Sequence, residues 1–164
     1  MNTRTHTSHH ESGFTLVEVL VAVLVLSVGL LGLASLQANG IRQNSSAYMR
    51  TQAIVFANDM ADRMRANPTE VSSGAYSNVI KSMAGADPGC AIAPCVASDI
   101  TLHDITNWYN SLNELPNGTG TITGDGRLFT ITVMWDDNKL NAIGEGCDLN
   151  NPADMVCFTT TLIP

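Results

Sequence analysis

The hydrophobic pattern changes character along the chain. Residues 1–13 are polar apart from Met1, which is the composition of a targeting or processing segment. Residues 14–38 then hold 18 apolar residues and a single charge, Glu18. From Val19 to Leu36 the run is uncharged and mostly aliphatic. As a helix it spans about 27 Å, close to the hydrocarbon thickness of a bilayer. On hydropathy alone it reads as a transmembrane helix. A cleaved secretory signal is the rival, because Ala34, Ser35 and Ala38 place small residues near its end. The run is long for a signal core of about 7–15 apolar residues. Arg4, with His6, His9 and His10, favours cytoplasmic retention of the N-terminal end. Gly29 and Gly32 are three apart, not in the spacing of a helix-dimer motif, and read as tolerated membrane glycines.

Past Leu36 the pattern becomes amphipathic. Ile41, Tyr48, Met49, Ala53, Phe56, Ala57, Met60, Ala61 and Met64 recur at spacings of three and four, while Arg42, Arg50, Asn58, Asp62 and Arg65 lie elsewhere on the wheel. Asp59 and Arg63 form a favourably oriented i,i+4 pair. No proline interrupts residues 14–67, and Pro68 disfavours helix at Asn67. One helix is predicted from Phe14 to about Arg65, about 78 Å long. Gly40 and the Asn39–Asn44 region are expected to fray or bend it. The Met and Phe stripe is read as core facing a sheet rather than as a cofactor site.

Residues 68–98 are rich in Gly, Ser, Ala and Pro and read as a connecting loop with at most short helical pieces. A helix is predicted over 101–115, with Thr101 as cap, Asp104 in its first turn, and Ile105, Trp108, Leu112 and Leu115 as its apolar stripe. Pro116 closes it. Thr119–Thr123, the Gly124-Asp125-Gly126 turn and Arg127–Trp135 read as a hairpin. Phe129, Ile131, Val133 and Trp135 alternate with Thr130, Thr132 and Met134, so one face packs inward. Val156–Ile163 is a third strand. A long helix on a small antiparallel sheet is an α+β fold.

Composition sharpens this picture. A length of 164 residues suits one modest domain. The net charge is −7, and residues 87–164 hold ten acidic residues against Arg127 and Lys139. That balance disfavours a phosphate-backbone binder, so no nucleic-acid partner is expected. Four cysteines, Cys90, Cys95, Cys147 and Cys157, all follow the apolar run and allow three pairings. For an extracytoplasmic domain they read as disulfides, with the local pairs Cys90–Cys95 and Cys147–Cys157 preferred because each closes a short loop. A zinc site is the alternative, and the gaps of five and ten fit it poorly. His103 reads as a solvated helix-surface histidine. Asp136-Asp137-Asn138 lacks calcium-loop spacing and reads as a turn. No nucleophile–base, phosphate-loop or metal constellation stands out, so no catalysis, cofactor or metal is expected.

Glu18 carries the most information. A carboxylate inside an apolar segment costs up to a few kcal/mol when central, about 3 on insertion scales, and persists mainly with a partner. A carboxylate near the helix end can simply reach the headgroups. The partnered reading needs a cation at membrane depth, and no Lys or Arg lies between Arg4 and Arg42. A cut after Gly13 creates one, the α-amine of Phe14, four residues before Glu18.

The segment Gly13-Phe14-Thr15-Leu16-Val17-Glu18, after a short polar leader and before an aliphatic helix, closely resembles the type IV prepilin signature. Leu30-Leu31-Gly32-Leu33-Ala34, the following Gln37, and Ala61–Pro68 resemble PilV-type minor pilins. The resemblance implies cleavage between Gly13 and Phe14 by a prepilin peptidase, methylation of the Phe14 amine, and pairing of Glu18 with that amine on a neighbouring subunit. It implies a leader over 1–13, a transmembrane and assembly half over 14–38, an amphipathic half over 39–67 and a globular domain over 68–164. Partners are then other major and minor pilins and the inner-membrane assembly platform. The chain sits in the inner membrane with its C-terminal domain periplasmic, then enters the pilus. A type II secretion pseudopilin shares the N-terminal signature. An exported or anchored binding domain with an ordinary signal sequence is the reading from a different class.

Overall fold

The computed structural model describes residues 13–163. The expected leader, with Arg4 and the leader histidines, lies outside them apart from Gly13. Contacts divide the chain into two units that meet between Gln43 and Asn44. One helix, α1, is continuous over Leu16–Ala66. Thr15 starts it: its Oγ1 accepts the Glu18 N–H at 3.3 Å. Gly40 does not interrupt it, because the helix needs only the backbone hydrogen bonds that glycine keeps. Up to Gln43 the apolar side chains of α1 are exposed, and this stretch is long and apolar enough to cross a membrane.

In the second unit α1 becomes a core helix. Met49, Ala53, Phe56, Ala57, Met60, Ala61 and Met64 are buried. Ile41 and Tyr48, which the spacing assigns to the same stripe, are exposed. The stripe is buried only from Met49 on, and Tyr48 instead meets the Gln52 amide through its hydroxyl at 2.9 Å. The helix ends at Ala66, and Pro68 opens a short helix, α2 (Pro68–Ser73), at a position where its missing N–H costs nothing. Gly74 closes α2 at φ +83°, a left-handed conformation that favours glycine.

The segment before the next helix holds a single 3₁₀ turn at Lys81–Met83 and a bridge from Val79 to Ile122. It also contributes Val71, Tyr76 and Val79 to the core, which a reading as connecting loop does not reveal. The next helix, α3, runs Ala97–Leu112, four residues earlier than the predicted start. Thr101 is not a cap but a buried residue inside the helix, its hydroxyl donating to Ala97 O at 3.3 Å. The chain before Ala97 offers no side-chain cap, so the helix start is set by packing rather than by capping.

The sheet is antiparallel in the order β1 (Thr119–Gly124), β2 (Phe129–Trp135), β3 (Val156–Leu162). Asp125 turns the hairpin by accepting the N–H groups of Arg127 (3.0 Å) and Leu128 (3.2 Å), which keeps Arg127 out of β2. Those two donors hold the exposed Asp125 carboxyl below its ordinary pKa. Phe129, Ile131, Val133 and Trp135 face the core, where they cluster with the α1 stripe and with Ile105, Trp108 and Leu112. Gly120 lies where a Cβ would stand 2.6 Å from Trp108 Cη2, so α3 and β1 meet at a position only glycine fits. Met134 departs from the expected alternation. It points to the other face yet is buried, because the loop before β3 folds Ala142 and Met155 over it.

Candidate functional site

Gly13 and Phe14 precede α1, and Glu18 stands in its first turn, where the unpaired N–H groups of the helix favour a carboxylate. Phe14 is 82% exposed. Phe14, Glu18, Ala22 and Leu26 recur at four-residue spacing and line one groove with Val19 and Val23. Glu18 therefore lies on the same apolar face as Phe14. No Lys or Arg pairs with Glu18 among the described residues. The Phe14 nitrogen is an amide while Gly13 is attached, so the cation that the sequence points to exists only after a cut there.

A second, partly buried constellation lies in the globular unit. The Arg63 Nε donates to Asp59 Oδ2 at 2.8 Å, and its Nη1 donates to Asp104 Oδ1 at 3.3 Å. The Tyr76 hydroxyl donates to Asp104 Oδ2 at 2.7 Å. The Asn67 amide donates to Tyr76 Oη (3.3 Å), Ala97 O (3.0 Å) and Thr101 Oγ1 (3.2 Å). Burial pushes the Tyr76 pKa up to about 12, helped by its bond to Asp104. Burial pulls Arg63 down, but Asp59 and Asp104 together raise it above its ordinary value. No buried side-chain nitrogen or oxygen among the described residues lacks a partner, and the network joins the end of α1 to α3 and to the turn after α2 that carries Tyr76. The sequence marks Asp59–Arg63 as a pair and Asn67 as a helix end. It carries no signal that Tyr76 and Asp104 meet them.

His103 is not simply solvated. Its Nδ1 lies 2.7 Å from Asp87 Oδ1, and only 17% of its side chain is exposed. His103 and the Gly89 N–H hold the Asp87 carboxyl below its ordinary range. The pair fastens the approach to the first disulfide, Cys90–Cys95, and lines an open groove with Arg63, Asn107, Ser111 and Glu114. The second disulfide joins Cys147 to Cys157 and ties the loop that covers Met134 to β3. Asp136-Asp137-Asn138 forms a turn in which Asp136 Oδ2 accepts the Asn141 N–H (2.7 Å) and Asp137 Oδ1 accepts from Trp135 Nε1 (3.0 Å). Among the described residues no three His, Cys, Asp or Glu side chains converge on a metal position.

Residues 8–34 match the family described as the prokaryotic N-terminal methylation motif. Residues 35–106 match the family described as type IV pilin Tt1218. The two matches adjoin and together cover more than half of the chain, with the sheet lying beyond them. No curated protein and no solved structure gives a significant match. A methylation motif at the head of a long apolar helix, continued by a pilin segment and packed on a small antiparallel sheet, makes this chain a member of the type IV pilin family, whose proteins are structural subunits rather than enzymes.

Proposed function

We propose that the chain is a minor pilin of the PilV type, cut between Gly13 and Phe14 by a prepilin peptidase, methylated on Phe14, and inserted into a type IV pilus. The observation that carries this reading is Glu18: the single charge of residues 14–38, on the same face of α1 as Phe14. A cut before Phe14 gives Glu18 a cation to meet at membrane depth, on a neighbouring subunit. A charge among apolar helices needs such a partner, so the pair sets the register at which subunits stack. Before assembly the chain is held in the inner membrane by α1, with the globular unit in the periplasm, where both disulfides form and persist. It then acts in pilus initiation and in pilus-dependent motility or adhesion, working with other pilins, the peptidase and the assembly platform, and without catalysis of its own.

Mass spectrometry of the mature N-terminus tests the processing step, with methyl-Phe14 as the expected first residue. An N-terminus near Ala38, or an uncut chain, refutes it and returns the exported-domain reading. Glu18→Ala is expected to be processed normally and to be lost from sheared fibres, so normal incorporation refutes the register role. Deletion is expected to abolish twitching motility. Loss of enzyme secretion instead identifies a type II secretion pseudopilin.

A further inference from the structure

The loop between β2 and β3, residues 136–155, is firmly tied yet leaves groups unused. Its two halves are pinned together. Ile143 and Gly144 donate to Ala153 O (3.2 and 2.8 Å), Met155 donates back to Gly144 O at 2.8 Å, and the disulfide fixes Cys147 to Cys157. Gly144 and Gly146 pack on the Asp154 carboxylate, where a Cβ at either position would collide with it. Lys139, Asn141 and Cys147 hold a left-handed backbone (φ +56°, +62° and +56°), which side-chain-bearing residues keep only where their surroundings impose it. A loop held this way does not close over its own side chains, and Leu140, Ile143 and Leu149 stay between 67% and 78% exposed.

The same loop holds Asp136, Asp137, Glu145, Asp148 and Asp154 against one cation, Lys139. None of these carboxylates has an ion pair among the described residues. Asp136 is the deepest, with only 3% of it exposed. Its Oδ2 accepts the Asn141 and Ala142 N–H groups (2.7 and 3.3 Å). Its Oδ1 accepts no bond among the described residues, yet no sealed side-chain oxygen there lacks a partner. Oδ1 therefore keeps an opening, and Asp136 lines a cavity of about 70 Å³. Asp137 and Asp154 line it too, and Leu149, Pro152 and Val156 give it an aliphatic wall. A buried carboxylate with a free oxygen calls for a cation. No three carboxylates among the described residues converge on a metal position. The aliphatic wall suits methylene groups, which a lysine stem supplies and a hydrated metal ion lacks. The small space suits a compact ammonium better than a planar guanidinium fork.

We propose that this cavity receives a lysine side chain from a partner protein, with the ammonium at Asp136, Asp137 and Asp154 and the methylenes along Leu149, Pro152 and Val156. The partner surface around that lysine is aliphatic, to pack on Leu140 and Ile143, and carries further positive charge to match Glu145 and Asp148. The site belongs to the globular unit alone and does not depend on the processing of Phe14.

The test uses the full chain, ¹⁵N-labelled in a nonionic detergent and titrated with Nα-acetyl-lysine amide. The Asn141 and Ala142 amides, which donate to Asp136, are followed by NMR. Both signals are expected to shift saturably, and less so as salt rises, because the attraction is between charges at an open site. The uncharged Nα-acetyl-norleucine amide is expected to leave them in place. Asp136→Asn keeps an oxygen for both amides and is expected to weaken binding about fivefold. Asp154→Asn, at a half-buried position, gives the same reading if the first variant does not fold. No saturable shift, equal shifts with the norleucine probe, or unchanged binding in the folded variants overturns the proposal. So does calcium chloride moving the same signals at lower concentration than the lysine probe, which makes the cavity a metal site.

Discussion

Asp104 accepts from the buried Tyr76 hydroxyl and meets Arg63, so its loss leaves Tyr76 without its acceptor and Arg63 with Asp59 alone. Asp104→Ala is expected to cost about 2 kcal/mol, read as a lower urea midpoint, because it leaves the buried Tyr76 hydroxyl without the acceptor it donates to. Asp104→Asn keeps an acceptor for Tyr76 and should cost less. Tyr76 adds a pH dependence of known sign. Its folded pKa of about 12 lies above the unfolded value of 10.0, so its contribution is complete below pH 10 and is lost as pH rises from there toward 12. The urea midpoint is expected to fall through that window. It should fall less steeply in Tyr76→Phe, where Tyr109, also raised by burial, keeps part of the slope. These partnerships are not legible in the sequence, since Asp104 is 41 residues from Arg63 and nothing local links them.

Between elements, close approach and crosslinks decide what the periodicity leaves open. Gly120→Ala puts a methyl against the Trp108 ring and the Thr132 carbonyl, so it should lower stability by about 2 kcal/mol and weaken the Trp108 bond to Phe56 O. A blue-shifted or broadened near-ultraviolet Trp signal checks it. Removing Cys147–Cys157 in a double Ser variant is expected to cost about 3 kcal/mol for a loop of this length. Amide exchange should accelerate over 142–155, which the disulfide ties down over Met134, while the β1–β2 ladder stays protected. Equal acceleration across all three strands would count against that local role. The strands themselves were readable from alternation to within a residue or two at each end. The start of α3 was not, because Thr101 carries the chemistry of a cap while its burial against Asn67 makes it helix interior.

At the scale of the whole molecule, the two units draw on different physics. Residues 13–43 bury nothing within the monomer and present an apolar helix surface whose natural surroundings are lipid or other helices. From Asn44 on, the chain closes its own core and carries most of the acidity, so the surface that meets water is the charged one. Glu18 is the exception that connects the first unit to assembly. The loss of Glu18→Ala from sheared fibres, with processing intact, is the prediction that belongs to this scale.

The N-terminal signature, the long helix, the antiparallel strands and the short-range cysteine pairs were determined by the sequence alone, because each rests on interactions between residues close together in the chain. The tertiary structure decided what depends on distant partners. It exposed Tyr48 and buried Met134, turned His103 toward Asp87, and gathered Arg63, Asn67, Tyr76 and Asp104 into one network. Burial and pairing are set by which surface arrives opposite a residue, and spacing along the chain does not encode that.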